Sequence, residues 1–290
     1  MSSAGGTRSA AAAEGANPAA CYTGTMRVFL SVDIEGVAGI SHWDEASNSH
    51  PDYPRFQQQM NAEAAAACQG ALDAGATAIT VKDAHGTGRN LIGASLPRPT
   101  ELISGWSGHP FAMVQGLDES YDAAAFIGFH AKAGDGGNPL SHTLTGQVHT
   151  MSITGQLMSE FRLHAFAAAL VGVPVVFVSG DQTLCDDIAA THPATATFVT
   201  KWGEGPSQHS VHPELAVESI RSGMQAALER DTAPAVIDLP DRFEFELQYK
   251  QHPVAYERSF YPSATLVDAH TVRLETDDYF EILRAIRFLA

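Results

Sequence analysis

The sequence predicts an α/β fold, a mostly parallel sheet with helices on both faces, together with a smaller C-terminal α+β layer. Three observations carry this. Short runs of apolar and β-branched residues recur along the chain, segments with helical spacing of small and apolar residues separate them, and a half-exposed alternating strand appears only near the end.

MRVFLSVDI (26–34) is apolar on both faces and reads as a fully buried strand. Arg55 to Ala74, closed by Gly75, reads as a helix. TAITVKDAH (77–85) and AAAFIGFH (123–130) are two further buried strands, and MSEFRLHAFAAALVG (158–172) and PVVFVSGD (174–181) form a helix and a strand. HPELAVESIRSGMQAALER (212–230) is a helix with proline in its first turn. Arg242 to Tyr249 alternates as an antiparallel strand does. The expected division is a tail over 1–25, a catalytic α/β domain over 26–235 and a smaller α+β subdomain over 236–290. The tail is built almost wholly from small and polar residues, which predicts disorder. Ala19-Ala20-Cys21 faintly resembles a lipoprotein cleavage site, but Glu14, Gly15 and Asn17 interrupt the apolar stretch that a secretory signal needs.

Charge and composition remove several classes of function. Seventeen Lys+Arg against thirty-three Asp+Glu leave a net charge of −16, and the four lysines (Lys82, Lys132, Lys201, Lys250) form no cluster. Nucleic acid is therefore not an expected partner. The longest apolar stretch, around Val171 to Val178, is too short to span a bilayer, so no membrane partner is expected. Cys21, Cys68 and Cys185 lie far apart, which indicates neither a disulfide framework nor a zinc-thiolate site and predicts a reducing, cytoplasmic setting.

The chemistry collects at strand ends. Asp33 and Glu35, two apart after the first strand and just ahead of Gly36, leave the same face. Ligands of open α/β sheets bind outside the carboxyl ends of the strands, where this turn should sit. The second strand ends in Asp83-Ala84-His85 and the third in Gly128-Phe129-His130, so three strands deliver nitrogen and oxygen donors to one edge. Those donor types suit zinc and related divalent ions. Asp83 is a candidate to fix the His85 tautomer. Glu160 falls in the first turn of a helix, where the macrodipole alone favours an acid, and His164 shares its face one turn on. His142 follows the glycine-rich stretch Gly134 to Gly137, which reads as a mobile loop or lid, and is placed to move onto a substrate. Singly, each has a plain alternative, because loop acids are usually solvated and isolated histidines usually hydrogen-bonded bystanders.

Competing motifs fail. Gly86-Thr87-Gly88 has Leu91 where a dinucleotide fingerprint needs glycine, and there is no Gly-Lys-Ser/Thr phosphate loop. Gly105-Trp106-Ser107-Gly108 ends in His109 where a nucleophile elbow needs glycine.

Taken in order, Ser31-Val32-Asp33-Ile34-Glu35-Gly36, Asp83-Ala84-His85, Gly128-Phe129-His130-Ala131, Ser141-His142, Glu160 and Val173-Pro174-Val175 resemble the M55 peptidase family of zinc-dependent D-aminopeptidases, from about Met26 to Asp181. The resemblance implies that Asp33, Glu35, His85, His130 and Glu160 bind two zinc ions and that His142 is catalytic. It also implies a self-compartmentalising decamer acting on short peptides with an N-terminal D-residue, such as D-Ala-D-Ala. His164, and the segment Trp202 to Pro213, depart from the family pattern. The expectation is a cytoplasmic di-zinc aminopeptidase. An amidase acting on L- or β-amino substrates and a non-catalytic metal- or peptide-binding protein are the alternatives; a mononuclear oxygenase is disfavoured because Glu35 and Glu160 would fill its open positions.

Overall fold

The computed structural model describes residues 26–290, so the disorder expected for 1–25 lies outside the described residues. In chain order the elements are β1 (Arg27–Val32), α1 (Trp43–Ala46), α2 (Tyr53–Asp73), β2 (Ala78–Asp83), β3 (Thr100–Ile103), β4 (Ala123–Phe129), β5 (Val148–Ile153), β6 (Gln156–Leu157), α3 (Glu160–Leu170) and β7 (Val175–Asp181). They continue with α4 (Gln182–Thr191), β8 (Ala196–Glu204), β9 (Ser207–Ser210), α5 (Pro213–Leu228), β10 (Phe243–Tyr249), α6 (His252–Arg258), β11 (Thr265–Leu266), β12 (Thr271–Thr276) and α7 (Tyr279–Leu289).

A seven-stranded sheet runs β3-β2-β1-β4-β7-β8-β9, parallel throughout except for the antiparallel edge pair β8–β9. Strand alternation explains why its central strands are apolar at every position. In β1, Val28, Leu30 and Val32 enter one core cluster with α2 and α5, while Phe29 points into the other with α3 and α7. β4 divides the same way, Ala123, Ala125 and Ile127 to one side and Ala124, Phe126 and Phe129 to the other. The sheet is thus covered on both faces, as expected from the alternation of strand and helix.

The second layer is a five-stranded antiparallel sheet in the order β11-β12-β10-β5-β6. β10 lies at its centre, with Leu247 opposite Met151 of β5. The layer is therefore not made from the C-terminal segment alone: β5 and β6, which are 90 or so residues earlier, complete it. β5 (VHTMSI) mixes Thr and Ser with apolar residues and carries no local sign of its distant partner. Among the described residues no helix is long and apolar enough to cross a membrane.

Candidate metal centre

The backbone brings the ends of β1 and β4 into contact. Beyond β1, the Asp33 amide donates to the Ile127 carbonyl at 2.8 Å and the Gly36 amide to the Gly128 carbonyl at 2.8 Å. A Cβ at position 36 would lie 1.7 Å from the Phe129 carbonyl oxygen, so only glycine admits this approach. Gly128 itself has φ +71°, and a Cβ there would meet the Asp33 carbonyl oxygen at 2.3 Å. Asp33 and Glu35 are consequently held beside His130, which follows β4. The buried ammonium of Lys201 secures the turn by donating to the carbonyls of Glu35 and Ile40.

Six side chains converge as two groups of three potential metal ligands, Asp33 with Glu35 and His85, and His130 with His142 and Glu160. Asp33 joins them. Its Oδ1 lies 3.2 Å from His85 Nδ1 and its Oδ2 3.6 Å from His130 Nε2. Glu35 Oε2 is 3.0 Å from His85 Nδ1, and Glu160 Oε2 is 3.4 Å from His130 Nε2. Every member of this set except His85 and His142 is buried.

The histidine tautomers identify what these groups face. A carbonyl oxygen accepts only, so His130 must donate from Nδ1 to Ala131 at 2.9 Å, and His85 from Nε2 to Ala46 at 2.8 Å. In the neutral rings the remaining nitrogens, His130 Nε2 and His85 Nδ1, carry lone pairs aimed at carboxylates. His130 Nε2 is buried with no hydrogen-bond partner. Lone pairs facing carboxylate oxygens repel unless a cation lies between them, and a backbone carbonyl behind each imidazole is the usual support of a metal-ligating histidine. The donor set and its orphaned nitrogen fit zinc.

Without a metal, protons must supply the balancing charge. Burial opposes ionisation of His130, but Glu160, Asp33 and Glu35 outweigh it and raise the imidazolium to about 10. The same contest, against Glu35 and Asp33, leaves His85 well above the ordinary histidine range. Burial, reinforced by the Glu35 charge, raises Asp33. Burial pushes Glu160 upward too, yet His130 and His142 bring it down to about 2.

His142 is the more open histidine. Its ring stacks on His130, with centroids 4.4 Å apart, and meets Trp43 edge-on at 5.1 Å. Its Nδ1 donates to the Leu140 carbonyl at 2.9 Å and its Nε2 lies 3.6 Å from Glu160 Oε1. Glu160 Oε1 also accepts the Leu144 amide at 2.6 Å, and Leu144 has φ +62°, a strained conformation two residues from His142. The turn carrying His142 is thereby fastened to the carboxylate.

One expectation changes. Asp83 does not orient the His85 ring: its carboxylate accepts the Asn90 and Leu91 amides and the Asn90 side chain, closing the loop that carries His85, while Ala46 takes the ring proton. A side chain two residues before His85 in an extended strand end is committed to the following loop. His164 bonds the Glu160 main-chain carbonyl at 2.6 Å, an in-helix contact, and burial lowers its pKa. Sequence reading passed over Lys201, Asn138 and Trp43. Asn138 Nδ2 donates to the Glu35 carbonyl at 3.2 Å and to Asp181 at 2.9 Å, and nothing local in the sequence marks it. The signal the sequence carries for the lysines is their position inside the strands AITVKD and ATFVTKWGE, where Lys82 and Lys201 are both buried.

The centre opens into a cleft of about 550 Å³ between the parallel sheet and the second layer, walled by Trp43 and Trp106 and reached by Arg258 and Arg287 from α6 and α7. Buried paired carboxylates and imidazoles at the carboxyl edge of a parallel sheet, opening on a peptide-sized cleft, define a metal-dependent hydrolase. The family model of the M55 peptidases, described as D-aminopeptidase, matches residues 26–288, and the chain belongs to that family; it is a metallo-aminopeptidase. It is 27% identical over 263 residues to the D-aminopeptidase of Bacillus subtilis (strain 168), covering 90% of this chain and 95% of that one. Its fold matches, with a TM-score of 0.85 and 26% identity, the solved structure of the Zn-dependent D-aminopeptidase DppA from Bacillus subtilis, described as a self-compartmentalizing protease, over 90% of this chain and 95% of that chain.

Proposed function

We propose that this protein removes the N-terminal D-residue from short peptides such as D-Ala-D-Ala, using two zinc ions per chain. The observation that carries the reading is the Asp33 carboxylate set between two ligand groups, one oxygen toward each. Asp33, Glu35, His85, His130 and Glu160 would hold the two ions, with Glu35 and His85 at one end of the site and Glu160 and His130 at the other. When bound, two such ions supply Lewis acidity, polarising a carbonyl and bringing the pKa of water toward 7.

The chain's own groups do the rest. With Nδ1 committed to Leu140, His142 presents Nε2 to the cleft, where it accepts a proton from the attacking water and returns it to the departing amine. Protonated, it donates toward the negative charge that develops on the scissile oxygen. Trp43, edge-on to that ring, limits its movement. Glu160, tied by the Leu144 amide, keeps the His142 turn in register with the metal ligands.

The reading includes a homo-oligomer, a decamer by family analogy, supported by the self-compartmentalizing description of the Bacillus protein and by exposed aromatics on the second layer, among them Tyr256, Phe260 and Phe288. Its compartment in this reading is the cytoplasm, in keeping with the buried free thiols of Cys68 and Cys185. Elemental analysis of the purified protein, paired with amino-acid release from D-Ala-D-Ala and L-Ala-L-Ala with and without chelator, tests it. About two zinc ions per chain and chelator-sensitive release from the D-peptide are expected. Faster release from the L-peptide would overturn the stereochemical assignment, and zinc near one per chain the dinuclear one.

A further inference from the structure

Arg258 ends α6 and lines the same cleft as the metal centre. Its surroundings do not account for it. Among the described residues Arg162, Arg221, Arg242, Arg273 and Arg284 each reach a carboxylate, and the other seven arginines, Arg258 among them, do not. Arg258 forms no such pair, and its Nε is buried without a hydrogen-bond partner. A guanidinium is always charged, and in this half-buried one the Nε–H has no acceptor until one arrives. Arg287, exposed at the same cleft, adds a second positive charge. The carboxylates of Asp33, Glu35 and Glu160, which line the same cleft, are already paired with histidines.

We infer that Arg258 binds the terminal carboxylate of the peptide substrate, so that the enzyme selects peptides only a few residues long with a free C-terminus. This rests on the aminopeptidase reading and adds to it the recognition of the opposite end of the substrate. A substrate whose amino end lies at the metal centre runs along a cleft of about 550 Å³, which has room for a small peptide. The planar fork of Arg258 matches a carboxylate through two parallel N–H···O bonds. A C-terminal amide offers no charge to that fork. A longer peptide places an uncharged main-chain carbonyl there instead. Arg287, at the surface, steers the acidic substrate without fixing its register.

The test compares the zinc-loaded wild-type enzyme with Arg258→Met and Arg258→Lys on D-Ala-D-Ala and on the same dipeptide amidated at its C-terminus. Wild type is expected to favour the free acid by about tenfold or more in kcat/KM. In Arg258→Met the acid-to-amide ratio falls to about one, chiefly through KM for the acid, and Arg258→Lys restores part of it. Zinc content and melting temperature identify any variant that misfolds, in which case the wild-type ratio and Arg258→Lys decide. Equal kcat/KM for acid and amide in the wild type, or equal loss on both in Arg258→Met, overturns the carboxylate site and leaves the aminopeptidase reading standing. Absence of hydrolysis of either peptide by the zinc-loaded wild type overturns both.

Discussion

The imidazole of His142 lies flat against that of His130, with planes 9° apart and centroids separated by 4.4 Å. One ring is buried and presents its Nε2 to two carboxylates, while the other is partly open to the cleft. Stacking sets the ring proposed to be catalytic a fixed distance from the one proposed to hold a metal, without making His142 a necessary ligand. His142→Ala should therefore lower kcat by about 10² to 10⁴ while zinc content stays at the wild-type value. Elemental analysis beside turnover numbers checks this; loss of half the zinc would make His142 a ligand instead.

Asp33 joins the two ligand groups, so Asp33→Asn should weaken both at once. Glu35→Gln touches one group only. Calorimetric zinc titration of the metal-free variants should show low affinity at every site for Asp33→Asn and one retained strong site for Glu35→Gln. In the wild type, zinc must displace the protons held on His85 and His130, so binding at neutral pH should release protons, read from the buffer dependence of the binding enthalpy.

Gly36→Ala sets a methyl 1.7 Å from the Phe129 carbonyl oxygen, where no side chain can yield. Loss of about 4 kcal/mol or more of stability is expected. Gly136 meets nothing within 4 Å of the same added atom, and its substitution by alanine should change stability by about 0.5 kcal/mol or less. Urea unfolding of the two variants makes the comparison.

Glu63 is wholly buried on α2; Oε1 accepts the Ala38 amide and Gln59, each at 2.9 Å, and Oε2 has no partner. Burial raises its carboxyl to about 7. The folded chain then holds this proton more tightly than the unfolded chain, whose value is 4.5, so stability is greatest below pH 4.5 for this group and declines as pH rises to 7. Glu63→Gln keeps the acceptor and removes the charge. Its stability relative to wild type should accordingly be higher at pH 8 than at pH 5, by up to about 3 kcal/mol, measured by thermal melting at the two values.

Much of this was legible locally. Asp33, Glu35, His85 and His130 follow buried strands whose apolar runs announce them, and a parallel sheet sends all its strand ends to one edge. Glu160 was harder, because an acid in a first helical turn has a sufficient local explanation in the macrodipole. Asp83 misled for a related reason: strand alternation places it near His85 but is silent on which of several amides its oxygens will accept. β5 escaped notice because its stabilising neighbour, β10, lies far along the chain and its own pattern is mixed.

The sequence by itself determined the doubly covered sheet, the edge at which the ligands gather and their chemical type, since all three follow from periodicity and side-chain identity over short stretches. Only the tertiary structure decided that Asp33 stands between two histidines, that Ala46 and Ala131 set their tautomers, that Lys201 holds the Asp33–Gly36 turn, and that Arg258 shares their cleft. Those relationships join segments that meet only after the layers pack, where distance and desolvation, rather than spacing along the chain, govern which groups interact.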